Sequence, residues 1–413
     1  MKCRHCGNEL HLPFLDLGNA PPSNAYLTEQ TVRASEKWFP LRILVCEKCW
    51  LVQTEDHAGR EELFAHDYAY FSSFSTTWLL HSEKYVRDMA DRFGLGVNSC
   101  VVEVAANDGY LLQYVKQAGI QAYGIEPTAS TAAAAREKGI DIVERFFGVE
   151  LASELANAGR QADLMAANNV LAHVPDINDF VAGFTRLLKP QGVVTFEFPH
   201  LLRMVQENQF DTAYHEHYSY LSLGAVQRIC IANGLSVFDV QEISTHGGSL
   251  RVFAQRSDTG AHRLSSSVAK LLSIEANAGM NAADFYSGFQ LKALQIKDDL
   301  VLFLINAKRQ GLTVGAYGAA AKGNTLLNFA GIRPDLLPYV VDKNPAKQCK
   351  YMPGSKIPIV DEAHLKAQRP DLILILPWNL REEVMSQLGY VGEWGGKFVT
   401  AVPMLEVSGA RGA

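Results

Sequence analysis

The sequence predicts an α/β protein built from two doubly wound units, each an open parallel sheet wrapped by helices, with a small cysteine-bearing module ahead of them. Three observations carry this. Short apolar runs at 101–104, 122–125, 163–167 and 193–198 alternate with helical patterns, the order that builds a parallel sheet. A second alternation begins at 313–317 and returns at 339–341 and 371–376. Two Cys-x-x-Cys pairs, Cys3/Cys6 and Cys46/Cys49, stand near the start. A chain of 413 residues is long enough for two or three domains.

Composition narrows the class. Hydrophobic content of 48% and charged content of 20% suit an ordinary globular protein. The 38 basic and 44 acidic residues leave a net charge of −6, which gives no general attraction for nucleic acid or anionic membrane. No apolar run approaches the roughly 20 residues that span a bilayer. The first residues, Met1-Lys2-Cys3-Arg4-His5-Cys6, lack the apolar core of a signal peptide. A cytoplasmic, reducing compartment is therefore expected, where the seven cysteines are not disulfides.

The module comes first. Two knuckles separated by 39 residues bring four thiolates into one tetrahedron, a closed structural zinc site with no position left for substrate. Gly7 supplies the tight turn after the first knuckle. Cys100, Cys230 and Cys349 lie singly in apolar contexts and read as core. The stretch 67–75 interleaves Tyr68, Tyr70, Phe71 and Phe74 with hydroxyl residues. Part of it must pack, and Tyr68 or Tyr70 is equally suited to touch a sugar. A helix is expected over 76–93.

The first unit opens on Val101-Val102-Glu103-Val104-Ala105-Ala106-Asn107-Asp108-Gly109, then Tyr110-Leu111-Leu112: strand, polar turn, helix. Such a junction sets free N–H groups and the positive end of a helix dipole at the carboxyl edge of the sheet. The next strand ends in Glu126, an acid placed to accept both hydroxyls of a ribose. A dinucleotide fingerprint has glycines where this chain has Ala105, Asn107 and Gly109, and Asp108 repels a pyrophosphate. Glu103 and Asp108 suit instead a nucleoside bearing ammonium and sulfonium charge, such as S-adenosylmethionine. An ordinary strand-to-helix turn is the plainer alternative. The polar stretch 168–176 lies beside the same crevice.

Tyr214-His215-Glu216-His217-Tyr218-Ser219-Tyr220 gathers two imidazoles, a carboxylate and three phenols. It lacks the i, i+4 histidines of a helical zinc motif, and no third ligand is evident for a metal on His215 and His217. Acid–base chemistry fits better, with a neighbouring carboxylate or phenol setting the tautomer of an imidazole. Buried histidines in structural hydrogen bonds are the alternative. Residues 263–310 read as one long helix bridging two domains. In the second unit, the small residues of Gly318-Ala319-Ala320-Ala321-Lys322-Gly323-Asn324-Thr325 let the backbone close on a diphosphate, with Lys322 as compensating charge and no acid nearby. A cationic nucleoside in one unit and an anionic nucleotide in the other imply a methyl donor facing a nucleotide-linked acceptor.

Together these residues resemble the sugar C-methyltransferase family that methylates C-3′ of nucleotide-linked 4-keto sugars on the way to branched deoxysugars. The resemblance covers nearly the whole chain. It rests on the cysteine pairs, Ala20-Pro-Pro-Ser-Asn24, Tyr68-x-Tyr70-Phe-Ser-Ser73, Glu103-x-Ala-x-Asn-Asp-Gly-Tyr-Leu-Leu112, Tyr214-His-Glu-His-Tyr218, His246-Gly-Gly-Ser-Leu-Arg-Val-Phe253 and Gly318-Ala-Ala-Ala-Lys-Gly-Asn324. It implies a zinc-binding module, a class I methyltransferase Rossmann-like domain and a C-terminal pseudo-Rossmann domain, expected at 1–66, 67–256 and 257–413. It implies S-adenosylmethionine and structural zinc as cofactors, the metal on Cys3, Cys6, Cys46 and Cys49.

By the same resemblance His217 is the general base. Glu216 and Tyr214 position it or the sugar, and His173 and Tyr68 orient substrate or stabilise an oxyanion. The cofactor falls to Glu103, Ala105, Asn107, Asp108, Gly109, Glu126, Pro127 and Asn168. The sugar nucleotide falls to Tyr70, Ser72, His215, Lys322 and Asn324. A monomer is expected, with a small-molecule nucleotide-sugar partner and neither nucleic acid nor membrane. Two rivals stay open: O- or N-methylation of another nucleotide sugar, and a non-catalytic zinc protein that binds nucleotides.

Overall fold

A computed structural model describes residues 1–57 and 71–409. The strands in chain order are β1 (Leu12–Ala20), β2 (Phe39–Val45), β3 (Val52–Thr54), β4 (Cys100–Val104), β5 (Gln121–Ile125), β6 (Asp141–Val143), β7 (Ala162–Asn168), β8 (Leu188–Pro199), β9 (Ser219–Tyr220), β10 (Leu235–Ile243) and β11 (Ser249–Arg256). They continue as β12 (Val314–Tyr317), β13 (Val340–Val341), β14 (Ile359–Val360), β15 (Leu372–Ile375), β16 (Lys397–Thr400) and β17 (Glu406–Gly409). Three sheets result, ordered β1-β2-β3-β9, β10-β11-β8-β7-β4-β5-β6 and β14-β13-β12-β15-β16-β17.

In the seven-stranded sheet β8, β7, β4, β5 and β6 are mutually parallel, while β11 runs antiparallel to both β8 and β10. The alternation anticipated this doubly wound sheet, and the resemblance to the sugar C-methyltransferase family implies that it is a class I methyltransferase Rossmann-like domain. The chain leaves β4 on one side for β5 and β6 and returns on the other for β7 and β8. The switch point therefore lies between the carboxyl ends of β4 and β7, where such sheets open a ligand crevice. The third sheet is parallel from β14 to β16, with its own switch point between β12 and β15. Both central strands there, Val-Gly-Ala-Tyr and Leu-Ile-Leu-Ile, are buried at every residue, as helices on both faces require.

The helix Thr76–Phe93 has the bounds read from the sequence. The Ser75 side chain accepts from the Trp78 N–H, and left-handed Gly94 closes the other end, both ordinary capping devices. Its buried stripe of Trp78, Ser82, Tyr85, Val86 and Met89 follows the helical period.

The single helix expected over 263–310 is instead two, Ser266–Asn277 and Phe289–Arg309. Gly279 and Gly288 take φ of 89° and 85°, which ends one helix and starts the next. Between them Met280 and Tyr286 are buried, with the Tyr286 hydroxyl donating to the Met280 carbonyl. Of the single cysteines Cys230 is buried, but Cys349 is exposed at a positive φ, so it is not core. Among the described residues no helix is long and apolar enough to cross a membrane.

The N-terminal sheet is not a separate bead. Phe14 of β1 stacks on Phe289 with ring centroids 4.7 Å apart. Its fourth strand, β9, comes from far along the chain: Val52 pairs with Tyr220 and Gln53 with Ser219.

Candidate active site

The four paired cysteines meet. Their sulfurs all lie within 4.8 Å of one another, with Cys3–Cys49 and Cys6–Cys46 at 3.5 Å. Tetrahedral zinc–thiolate bonds of about 2.3 Å put sulfurs roughly 3.8 Å apart, so the set fits one zinc ion. Each knuckle closes alike, with Gly7 N donating to Cys3 O at 3.0 Å and Trp50 N to Cys46 O at 2.8 Å. Both turns need a left-handed residue. Gly7 supplies it freely, whereas Trp50 sits at φ 60° and stacks flat on Tyr286 at 5.8 Å.

At the β4–β7 switch point the turn is over-determined. Ala105 and Asn107 take φ of 61° and 48°, and Gly109 takes 76°. A Cβ on Gly109 would lie 2.3 Å from the tip of the Ile140 side chain, at a φ that glycine adopts freely. Glu126 accepts Asn107 N and Thr128 N, each at 2.9 Å, which fixes its carboxylate at the end of β5 beside Pro127. Burial pushes Glu126 up from the usual carboxylate range. Burial raises Glu103 well above it, with Asp108 and Glu126 adding to the effect and only Tyr110 opposing. A cation in this crevice would relieve both acids.

Asn168, at the end of β7, is buried with neither amide atom partnered. The residues thus fit S-adenosylmethionine, which brings charge for the acids and hydrogen bonds for Asn168. Asp108 departs from expectation. Its Oδ2 accepts from Ser73 N at 3.3 Å and lies 3.4 Å from Lys138 Nζ, so its charge already has a partner. Ser72 N donates to Asn107 Oδ1 at 2.9 Å, so Ser72 borders the cofactor turn. Tyr68 and Tyr70 lie outside the described residues.

The segment Tyr214–His217 packs on His173, just past the end of β7. His217 is buried, its Nδ1 donating to Thr212 O at 2.8 Å. That fixes the tautomer: Nε2 carries the lone pair, and the Tyr214 hydroxyl donates to it at 2.7 Å. Burial, with His173 adding to it, holds the His217 imidazole well below its usual range. The His173 ring meets it edge-on at 4.6 Å and is itself pushed down to about 4 by burial. Glu216 is buried, one oxygen accepting from Asn24 Nδ2 at 3.1 Å and the other unpartnered. His215 turns to the N-terminal sheet, with Nε2 3.3 Å from the Phe39 and Pro40 carbonyls, and is not brought into this group. Thr54 of β3 donates from its hydroxyl to His217 O at 2.6 Å.

The second unit meets this group as well, the Thr325 hydroxyl donating to Ala213 O at 2.8 Å. Lys322 donates to Asn379 Oδ1 at 2.6 Å and lies over the Trp378 ring at 4.5 Å. Contrary to the sequence reading, an acid is near. Burial brings Lys322 down to about 8, with Asp211 opposing, and raises Asp211 to about 6. Trp378 Nε1 donates to Asp211 Oδ2 at 2.8 Å. The charge of Lys322 also adds to the lowering of His217 and His246. Asn324 is buried with both amide atoms unpartnered.

Several residues here carried no assigned role in the sequence. Asn169 donates from Nδ2 to His246 Nε2 at 2.9 Å. Both residues are left-handed, with φ of 53° and 55°, a conformation costing about 1–3 kcal/mol that persists only where its surroundings impose it. A Cβ on Gly247 would lie 2.5 Å from the Trp378 ring, which explains the glycine after His246. Asn24 and His246 stand inside motifs already noted. Asp211 and Trp378 have no local signal, because only the fold brings them together.

Family models agree with this architecture. Three family descriptions match in turn: a zinc binding domain over residues 3–64, a methyltransferase domain over 78–240 and a C-methyltransferase C-terminal domain over 244–403. The C-methyltransferase NovU of Streptomyces niveus is 32% identical over 410 residues, covering 99% of this chain and 97% of its own. Among solved structures, the 1,6-didemethyltoxoflavin-N1-methyltransferase of Burkholderia thailandensis is 17% identical and covers 50% of this chain and 96% of its own, with a TM-score of 0.38. The magnesium protoporphyrin IX methyltransferase of Synechocystis PCC 6803 is 18% identical over 43% of this chain and 79% of its own, with a TM-score of 0.34. A non-catalytic nucleotide-binding protein is thereby set aside, and the chain belongs to the C-methyltransferase family, S-adenosylmethionine-dependent enzymes with an N-terminal zinc-binding domain.

Proposed function

We propose that this enzyme methylates C-3′ of a nucleotide-linked 4-keto sugar, with His217 as general base. The supporting observation is the His217 imidazole itself, pinned by Thr212 O on one nitrogen and joined to Tyr214 on the other. A 4′-ketone acidifies the C-3′ hydrogen because the carbanion delocalises onto oxygen. The proton leaves C-3′ for the Tyr214–His217 pair and comes to rest on Nε2, while Nδ1–H tightens onto Thr212 O as the ring gains charge. Burial makes that imidazolium costly on its own. The enolate formed beside it offsets the cost, so basicity rises as the reaction proceeds. S-adenosylmethionine supplies the electrophilic methyl group when bound.

Glu126 and Asn168 are assigned to that cofactor, and Lys322 with Asn324 to the sugar nucleotide. Asn24 holds Glu216, which keeps the His217 segment in place. The domains are assigned to 1–66, 67–256 and 257–413, the second boundary falling directly after β11.

The test follows C-3′ hydrogen exchange in D₂O alongside methyl transfer. His217→Asn should slow exchange by roughly 10²–10⁴-fold with both ligands still bound, and Tyr214→Phe should cost less. Exchange at the wild-type rate in folded His217→Asn removes His217 as base.

A further inference from the structure

Removing the C-3′ proton leaves a second demand. The carbonyl π pair moves onto the 4′-oxygen, and a donor must already be aimed there. Among the described residues, Lys322, His173 and His246 carry donors that border the centre beside the Tyr214–His217 pair. Lys322 is committed to Asn379 at 2.6 Å and lies beside Asp211. His173 is turned edge-on to His217 and hydrogen-bonded to the Glu216 main chain. His246 differs. Its Nε2 is taken by the Asn169 amide, so its proton sits on Nδ1, which makes no hydrogen bond among the described residues.

The ring is held by more than that bond. Trp78 packs against it with centroids 5.2 Å apart, and Trp78 in turn lies 5.8 Å from Tyr110 of the cofactor turn. On its other side the His246-Gly247-Gly248 turn is closed by Trp378 and by Gln209, whose Nε2 donates to Gly247 O at 2.8 Å. Asn169 directly follows the last residue of β7, and its own N–H is fixed to Glu197 O at 2.8 Å. The imidazole is thus gripped between the cofactor crevice and the second unit, at the junction where substrate and cofactor must meet.

We infer that His246 is a further catalytic residue, donating its Nδ1–H to the enolate oxygen of the substrate, with Asn169 as the positioning residue that sets the tautomer. The inference rests on the C-3′ carbon-acid reading above. No proton changes hands at His246: the C–H pair becomes the new C–C π bond, the carbonyl π pair becomes an oxygen lone pair, and the proton goes to the His217 pair. Burial also lowers His246 to about 4, so the ring stays neutral through the working range. A neutral imidazole is a donor matched to an enolate and never competes for its proton.

The experiment uses full-length, zinc-loaded protein and whichever thymidine-, uridine- or guanosine-diphospho-4-keto-6-deoxyhexose the wild type methylates. Exchange at C-3′ is followed in D₂O with S-adenosylhomocysteine in place of the methyl donor. The infrared band of a ¹³C-labelled 4′-carbonyl is recorded in the bound state. His246→Ala should slow exchange by roughly 10²–10³-fold, the usual effect of deleting one oxyanion donor, and should return the carbonyl band towards its free position. His246→Gln keeps an amide donor and should recover part of the rate. Asn169→Ala should fall between them.

Wild-type exchange in folded His246→Ala, or a carbonyl band unmoved on binding to the wild type, overturns the assignment. Should His246→Ala not fold, wild-type exchange in both His246→Gln and Asn169→Ala overturns it equally. A wild type that methylates without any C-3′ exchange instead defeats the carbon-acid reading and the assignment with it.

Discussion

A proposed base buried as deeply as His217 begins at a disadvantage, and its neighbours decide whether it can work. His173 and His246 are both held down to about 4 by burial, so neither adds a cation to the pocket at neutral pH. Lys322 is the exception. Its ammonium exists only below its pKa, which burial has lowered from 10.5 to about 8. If it holds the diphosphate, the KM for the sugar nucleotide should climb as pH rises through about 8, while kcat changes little, as expected for uniform binding. Lys322→Arg, charged throughout, should move that limb upward, and steady-state kinetics from pH 6.5 to 9.5 test it. The sequence displayed the types of these residues but not their company. Lys322 has no acid within its own turn, and Asp211 reaches it only because the units close on each other.

Elements carried their information locally or not at all. The helix Thr76–Phe93 was readable at both ends because Ser75 and Gly94 cap it from within the same stretch. The break between Ser266–Asn277 and Phe289–Arg309 was not, because alanine-rich sequence hides the two left-handed glycines that make it. The cysteine knuckles were readable from spacing alone. Their metal serves no chemistry, since four thiolates close its coordination, but it ties the turns before β1 and after β2. Cys46→Ser should therefore release zinc and lower Tm by several degrees or more, because metal binding here is folding free energy. Metal analysis paired with calorimetry checks this, and a zinc-free variant with unchanged Tm would refute it.

Across the whole molecule the decisive contacts join segments far apart in the chain. Asn24 holds Glu216, Thr54 holds His217 O, and Arg4 donates to Tyr218 O at 3.3 Å. The residues to which the chemistry is assigned, Tyr214 to His217, lie just before β9, and β9 is an edge of the N-terminal sheet. The zinc module is therefore no detachable appendage but one half of a part whose other half is the segment 212–220. A chimera taking residues 1–57 from NovU should lose most methyl transfer in a radiolabel assay, whereas one taking 212–220 from the same parent should regain it. If the first chimera is as active as the wild type, the two halves are independently heritable. If activity is instead lost, a functional seam for recombination in such enzymes cannot fall between the N-terminal sheet and the segment that carries β9.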